Sequence, residues 1–499
     1  MQVDDILKAE LKQAIAECER FRAENAQLKA RFGDSPKTPT TPAVPLATSQ
    51  VKIKKLSETL TVNSPSDQKV IRFRSLFRGR DDVYAVRWEG KNGRTGYSPA
   101  GIRDWEQPAF TKTGKKRPFR LSKPFPLSDE VVRDHLLGKQ TIGIYPLLQD
   151  DTCWFVAVDF DKRSWEGDAC AFLRTCRETG VPASLERSRS GNGGHVWIFF
   201  AEPIQAALAR KLASAILTRT MERRYALGLD SYDRLFPSQD TMPKGGFGNL
   251  IALPLQHGPR EKGNSVLVDD QLRSYDDQWA HVSSIERLTL DETQSVLRRI
   301  YPTGDVINVK HSSSDYDESS DPWIAPPSER LALEAITELL PQRVLINLAN
   351  LIFIEKKDLP DAFLDRLLRL AAFQNPEFYK TQGMRLSTFG KPRVIACGEN
   401  LTRHIALPRG LWQEVRTLLE SHNVAVDVTD HRFVGNPLEV DFRGDRRPAQ
   451  AEAAKTLAAH EDGILCAPTA FASRTSKERC LQTRLPCKLR YSHRYCLVA

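Results

Sequence analysis

The sequence predicts an α+β protein of several domains, and three observations carry that prediction. Leu7, Leu11, Ala14, Cys18, Phe21, Asn25, Leu28 and Phe32 recur at alternating four- and three-residue spacing with charged residues between them, the signature of a helical seam. Short apolar runs such as "VYAVRW", "WFVAVDF" and "VWIFF" have the length and the β-branched and aromatic content of strands. Helix-period segments, "ERLALEAITELL" and "LPDAFLDRLLRLAAF", follow further on, beside the strand-like "PRVIACG".

Residues 1–33 read as a coiled-coil helix of almost four heptads, with Asn25 at a core position where a buried amide fixes register and strand number. A short parallel homodimer through residues 7–32 is expected. Gly33 ends the helix, and 34–66, containing "DSPKTPTTPAVPLATSQ", has the composition of a flexible, partly extended linker. From about Ile71 a basic helical start leads into the alternating "VYAVRW" strand and a Gly- and Asn-containing turn. Five arginines between Arg72 and Arg87 are expected to form a solvated surface rather than a phosphate site. Residues 321–440 are expected to be mainly helical and show no catalytic constellation.

Composition narrows the function classes. The 499 residues leave room for roughly three domains of about 150 residues. Nine cysteines without C-x-x-C spacing suggest neither a zinc site nor a disulfide framework. The chain has no run of about 18 apolar residues, and its start lacks a basic region followed by an apolar stretch, so a cytoplasmic protein is expected. The formal charge of +9 is a weak pointer to nucleic acid, because seven basic residues against Glu478 concentrate most of it in residues 472–499.

Motifs say more than charge. In "WFVAVDFDKR" an apolar strand ends on Asp159 and Asp161, whose carboxylates project to one side about 7 Å apart along the backbone. Such a pair is either solvated surface acid or one side of a site for a hard divalent cation, to which a third carboxylate would be added. "LERSRSGNGGHVWIFF" follows, a glycine-rich turn from Ser190 to Gly194 that leads into His195 at the head of a strand. Glycines let the backbone approach a phosphate, the Ser190 hydroxyl and His195 can donate to it, and Arg187 and Arg189 add charge. In "DSYDRLFPSQDTMPKGGFGNLIALPL", Asp233 is the candidate third carboxylate, Asp240 competes with it, and Gln239 and Lys244 could touch substrate phosphates.

The series D-x-D, S-G-x-G-x-H and a strand-associated Asp resembles the three motifs of the archaeo-eukaryotic primase superfamily. The stretches "LFRGRDDVYAVRW", "GYSPA", "VAVDFDK", "LERSRSGNGGHVWIFF" and "DRLFPSQDTMPKGGFGNLIALPLQ" look more closely like the primase domain of TOTE conflict systems, over about residues 70–300. The resemblance implies an RRM-like catalytic core at about 136–300 within a primase domain at 67–310. It implies a metal-dependent primase-polymerase that makes or extends strands from nucleoside triphosphates on single-stranded DNA, in a mobile-element or phage conflict system. Asp159, Asp161 and Asp233 would hold two Mg²⁺ or Mn²⁺ ions and be catalytic; Ser190 and His195, helped by Arg187, Arg189 or Lys244, would bind the triphosphate. A binding module without catalysis, or an inactive fragment of a primase-helicase, is the alternative. Gly101 stands in "GYSPAGIRDW" where the family suggests a cysteine, and Asn192 and glycines stand where some relatives carry arginines.

After "FRGDRRPAQAEAAKTL", the run "GILCAPTA" resembles the strand and first turn of a superfamily 2 helicase phosphate loop, and Gln450 sits where an adenine-reading glutamine often lies. Residues 441–471 are therefore expected to be the start of a helicase domain. Phe471 to Arg474 supply no Gly-Lys-Thr or Gly-Lys-Ser, so no ATPase is expected. Residues 472–499, with three cysteines and no hydrophobic period, read as an out-of-frame tail left by a frameshift.

Overall fold

The computed structural model describes residues 59–90, 92–103, 121–301, 307, 309, 336, 338–432, 447–459, 464–466, 490–491 and 496–498, all within the unit Glu58–Ala499. The coiled coil expected at 1–33 lies outside the described residues. The described end of the expected linker is packed rather than free: Leu60 is buried, and the Val62 N–H donates to Asp277 Oδ2 at 2.8 Å.

Seven elements build the central layer. They are β1 (Thr152–Phe160), α1 (Trp165–Glu178), β2 (Ser184–Arg187), β3 (Gly194–Gln205), α2 (Ala206–Met221), β4 (Leu235–Phe236) and β5 (Val266–Val268). The sheet order is β5-β2-β3-β1-β4, with every neighbouring pair antiparallel. Two β-α-β units thus interleave, each crossover passing over the strand between its own two.

The unbroken apolar run of β1 follows from burial on both faces. Val156, Val158 and Phe160 pack with Val196, Ile198 and Phe200 of β3 against α1 and α2. Phe155 and Ala157 point the other way, with Trp197 and Phe199, into a second core completed by Phe73, Ile142, Ile251 and Trp279. Asp159 continues that second face beyond the end of the core. A second antiparallel sheet covers this side, in the order Ile251–Ala252, Ile142–Ile144, Ala85–Glu89, Thr95–Pro99. Gly101 is explained here: a Cβ at that position would come within 2.4 Å of the Lys123 carbonyl oxygen, so a cysteine could not take its place unless the backbone moved.

The arginines from Arg72 to Arg87 are engaged within the domain. Arg72 donates to the carbonyls of Val282, Ser283 and Ile285, Arg80 pairs with Asp82, and Arg78 lies over the Trp154 ring.

The expectation of a mainly helical region at 321–440 is corrected for the described residues, where strand is about as extensive as helix; most of "ERLALEAITELL" lies outside the described residues. Helix Asp361–Leu370 and strand Val394–Ala396 form where the pattern places them, but the centre is a five-stranded sheet. Its strands run in the order Glu399–Asn400, His404–Leu407, Ile352–Glu355, Arg343–Leu348, Ala425–Asp430, the last pair parallel. The physical reason is local: "RVLINL" and "IFIE" alternate buried aliphatic residues over four to six positions, too short a run for a helix. Further on, Ile464–Cys466 pairs antiparallel with Cys496–Val498, while residues 467–471, where the phosphate loop is expected, lie outside the described residues. Among the described residues no helix is long and apolar enough to cross a membrane.

Candidate active site

Side chains directly opposite in an antiparallel sheet share a face. The register sets Asp159 of β1 opposite His195 of β3, and His195 opposite Glu186 of β2. On the other flank the Asp159 N–H donates to the Arg234 carbonyl at 3.0 Å, one residue before β4. Glu186, His195, Asp159 and Arg234 therefore form a row of alternating charge across three strands and the residue that precedes the fourth. His195 Nδ1 is 3.0 Å from Glu186 Oε2, which also accepts from Trp197 Nε1 at 3.0 Å, and His195 Nε2 lies 3.7 Å from Asp159 Oδ1. Burial presses the His195 pKa down, but the Glu186 carboxylate, buried at 2% exposure, and then Asp159 outweigh it, so the net shift is upward and favours the imidazolium.

Asp161 stands just past the strand, exposed, and its Oδ1 accepts from Arg234 Nη1. The turn Ser190–Gly194 closes onto the same strand end. A Cβ at Gly193 would fall 2.8 Å from the Phe160 carbonyl oxygen, so only glycine lets the loop approach so closely. The exposed Ser190 hydroxyl lies 3.2 Å from Ser188 Oγ and accepts the Asn192 N–H. Asp159, Asp161, His195 and the Ser190 loop thus share one strand end.

The remaining candidates are engaged in other contacts. Arg187 spends its guanidinium on the carbonyls of Gly263 and Leu272, and Arg189 Nε donates to Gln256 Oε1 at 3.0 Å. The exposed Lys244 donates its backbone N–H to the Arg385 carbonyl at 2.8 Å, and Gln239 donates to the Leu386 carbonyl at 3.1 Å, both next to the downstream region. Asp233 closes the 3₁₀ turn Leu229–Asp233, and its Oδ1 accepts the Arg393 N–H at 2.7 Å. Burial raises its pKa, against the opposing pull of Arg393 and Arg210.

Asp240 has a different environment. Its Oδ1 is 2.9 Å from Arg210 Nε, a contact of charge proximity without hydrogen-bond alignment, and 3.3 Å from Arg393 Nη2, while Oδ2 accepts from Gln382 at 2.9 Å. Burial would raise the Asp240 pKa, but the two guanidinium groups outweigh it and the net shift is downward. Asp240 is the counter-ion of the buried Arg210; Asp233 lines an open cavity.

Asp233 does not stand with Asp159 and Asp161. Among the described residues no three His, Cys, Asp or Glu groups come together at metal-holding spacing. The backbone explains the separation: Arg234 takes the place across from Asp159, and Asp233, in the turn before it, faces Arg393 instead. The donor chemistry of Asp159 and Asp161 still suits a hard cation held from one side. The Asp159 pKa is raised by burial first, with Asp161 adding to it against His195 and Arg234, so a cation there would relieve a real electrostatic strain.

That strain predicts a stability effect. A carboxyl whose folded pKa is raised destabilises the fold once ionised, so the cost sets in as pH rises from the ordinary Asp value, about 3.9, and is complete above the folded pKa. Asp159→Asn should therefore melt higher than wild type at pH 7, by of order 1–3 °C, and the gain should fade towards pH 4. A lower melting temperature at pH 7 would contradict it.

Residues 68–296 match the family model of an archaeo-eukaryotic primase domain, and the mix of helices and sheets fits an α+β domain of that class. Within that class the match is to "TOTE conflict system, Archaeo-Eukaryotic Primase domain", and it covers a little under half of the chain. It supports a primase-like nucleotidyltransferase as the kind of activity. A comparison with curated proteins finds no match.

Proposed function

We propose that this chain is a metal-dependent primase-polymerase that makes or extends strands from nucleoside triphosphates on single-stranded DNA, serving a mobile-element conflict system. The observation that carries the reading is the clustering of Asp159, Asp161, His195 and the Ser190 loop at one strand end inside the segment that matches the primase family. The β-α-β-β-α-β order of that segment supports an RRM-like core.

Each residue has a task in this reading. His195, held by Glu186 and biased to the imidazolium, donates towards a triphosphate oxygen, and the Ser190 hydroxyl and the turn's backbone add further donors. Asp159 and Asp161 would hold Mg²⁺ or Mn²⁺, which supplies charge neutralisation for the triphosphate and the attacking 3′-hydroxyl. Arg234 must release Asp161 for this, and its guanidinium is then free to meet substrate charge. Of the two candidates for a third carboxylate, Asp240 is committed to Arg210 and Arg393, and Asp233 would have to leave the Arg393 N–H to join Asp159 and Asp161. The chain is not expected to hydrolyse ATP as a motor, since Ala470 to Ser473 put no lysine after Thr469 where a phosphate loop needs one.

The test is incorporation of labelled NTPs and dNTPs on single-stranded DNA with Mg²⁺ or Mn²⁺. Metal-dependent product supports the reading, and the nucleotide used gives the sugar preference. A folded chain that binds nucleotide and forms no product would favour a binding module instead.

A further inference from the structure

A cavity of about 620 Å³ opens between residues 233–249 of the primase-matching segment and residues 378–392 of the downstream region. Its size is that of a small-ligand pocket. The walls carry Phe236, Phe247, Phe378 and Phe389, with the Asp233 carboxylate among them. Phe389 is 94% exposed, and the loop that bears it also exposes Met384 and Leu386. Large apolar groups displayed together in this way mark a contact surface. The exposed Lys244 lies in sequence between the lining residues Pro243 and Gly246, while the Lys391 ammonium, also at the lining, is paired with Glu377 at 2.8 Å and donates to Thr381 Oγ1 at 2.8 Å.

This distribution of charge selects a ligand. Phenylalanine walls beside a carboxylate reject a phosphate but accept a flat, neutral aromatic group, while an ammonium group nearby favours an anion attached to it. A nucleobase with its phosphates outside has that shape and charge. We propose that the cavity takes one unpaired nucleobase of single-stranded DNA, stacked on Phe389, with a flanking phosphate at Lys244. The choice of a nucleic-acid ligand rests on the primase reading. It adds that the region downstream of the primase-matching segment supplies part of the template surface.

The experiment compares the full-length chain with Phe389→Ala and Phe389→Trp by fluorescence anisotropy, without metal. The probes are a labelled 12-mer oligo(dT), a duplex of the same length and labelled dTTP. Stacking on one aromatic ring is worth about 1–3 kcal/mol per base, so Phe389→Ala should weaken oligo(dT) binding roughly 5- to 150-fold, with Phe389→Trp close to wild type. Duplex and dTTP binding should be unchanged. Unaltered oligo(dT) affinity in a folded Phe389→Ala chain overturns the proposal, and so does a loss confined to dTTP, which would assign the pocket to the incoming nucleotide. The two proposals fail separately: incorporation by wild type with no effect of Phe389→Ala on binding refutes only the pocket, and lost binding without incorporation by wild type refutes only the polymerase.

Discussion

Replacing both Asp159 and Asp161 by alanine is expected to abolish nucleotide incorporation, a fall of at least about 10³-fold, with no loss of thermal stability. The size follows from removing the groups that would organise charge at the reacting phosphate, where deleting even one preorganised partner costs about 10²–10³. Stability should survive because Asp161 is solvated and the Asp159 pKa is raised by its burial. Asp233→Ala and Asp240→Ala separate the two candidates for a third carboxylate. The first should lower activity with little change in melting, whereas the second strands the buried Arg210 and Arg393 and should lower the melting temperature. Incorporation that persists in the Asp159/Asp161 double variant would remove the strand-end pair from catalysis.

The largest stability effect is expected away from these carboxylates, at Asp365→Ala. Arg369, on the helix Asp361–Leu370, is buried against the primase-matching segment and donates to Asp365 Oδ2 at 2.6 Å, to the Ile307 carbonyl, and to Tyr232 Oη at 3.3 Å. Its pKa is raised: burial works against the charge, but Tyr232 and Asp365 outweigh it. Deleting the carboxylate leaves a buried guanidinium without its counter-ion, a loss of about 3–5 kcal/mol in a denaturant titration. The double variant Asp365→Leu/Arg369→Met, which removes both charges and keeps apolar volume, should cost far less. Equal losses in the two variants would mean that packing, not charge, sets the effect. Tyr232 adjoins Asp233, so Asp365→Ala should also disturb the cavity wall.

What was legible in the sequence was whatever local pattern determines. The strands around Asp159 and His195 could be placed from their apolar runs, and Glu186 was within reach too: folding "ERSRSGNGGH" as a hairpin sets it opposite His195. The sheet at 343–430 was hidden because its strands are four to six residues long and lie between stronger helical signals. The partners of Asp233 and Asp240 had no signal at all. Arg393 is about 160 residues further along the chain, and nothing in "KPRVIACG" marks its arginine as a cap on a distant carboxylate. Arg187 had a second role without a sequence signal: beside the glycine-rich turn it donates to two loop carbonyls, those of Gly263 and Leu272.

The contacts of Arg369 with Tyr232, of Gln382 with Asp240 and of Arg385 with Asp151 all join the downstream region to the segment that matches the primase family. The unit recognised by descent and the unit that folds therefore have different borders. Melting should remove both parts in one transition, and a fragment cut where the family match ends would present Arg210 and Tyr232 to water as a raw edge.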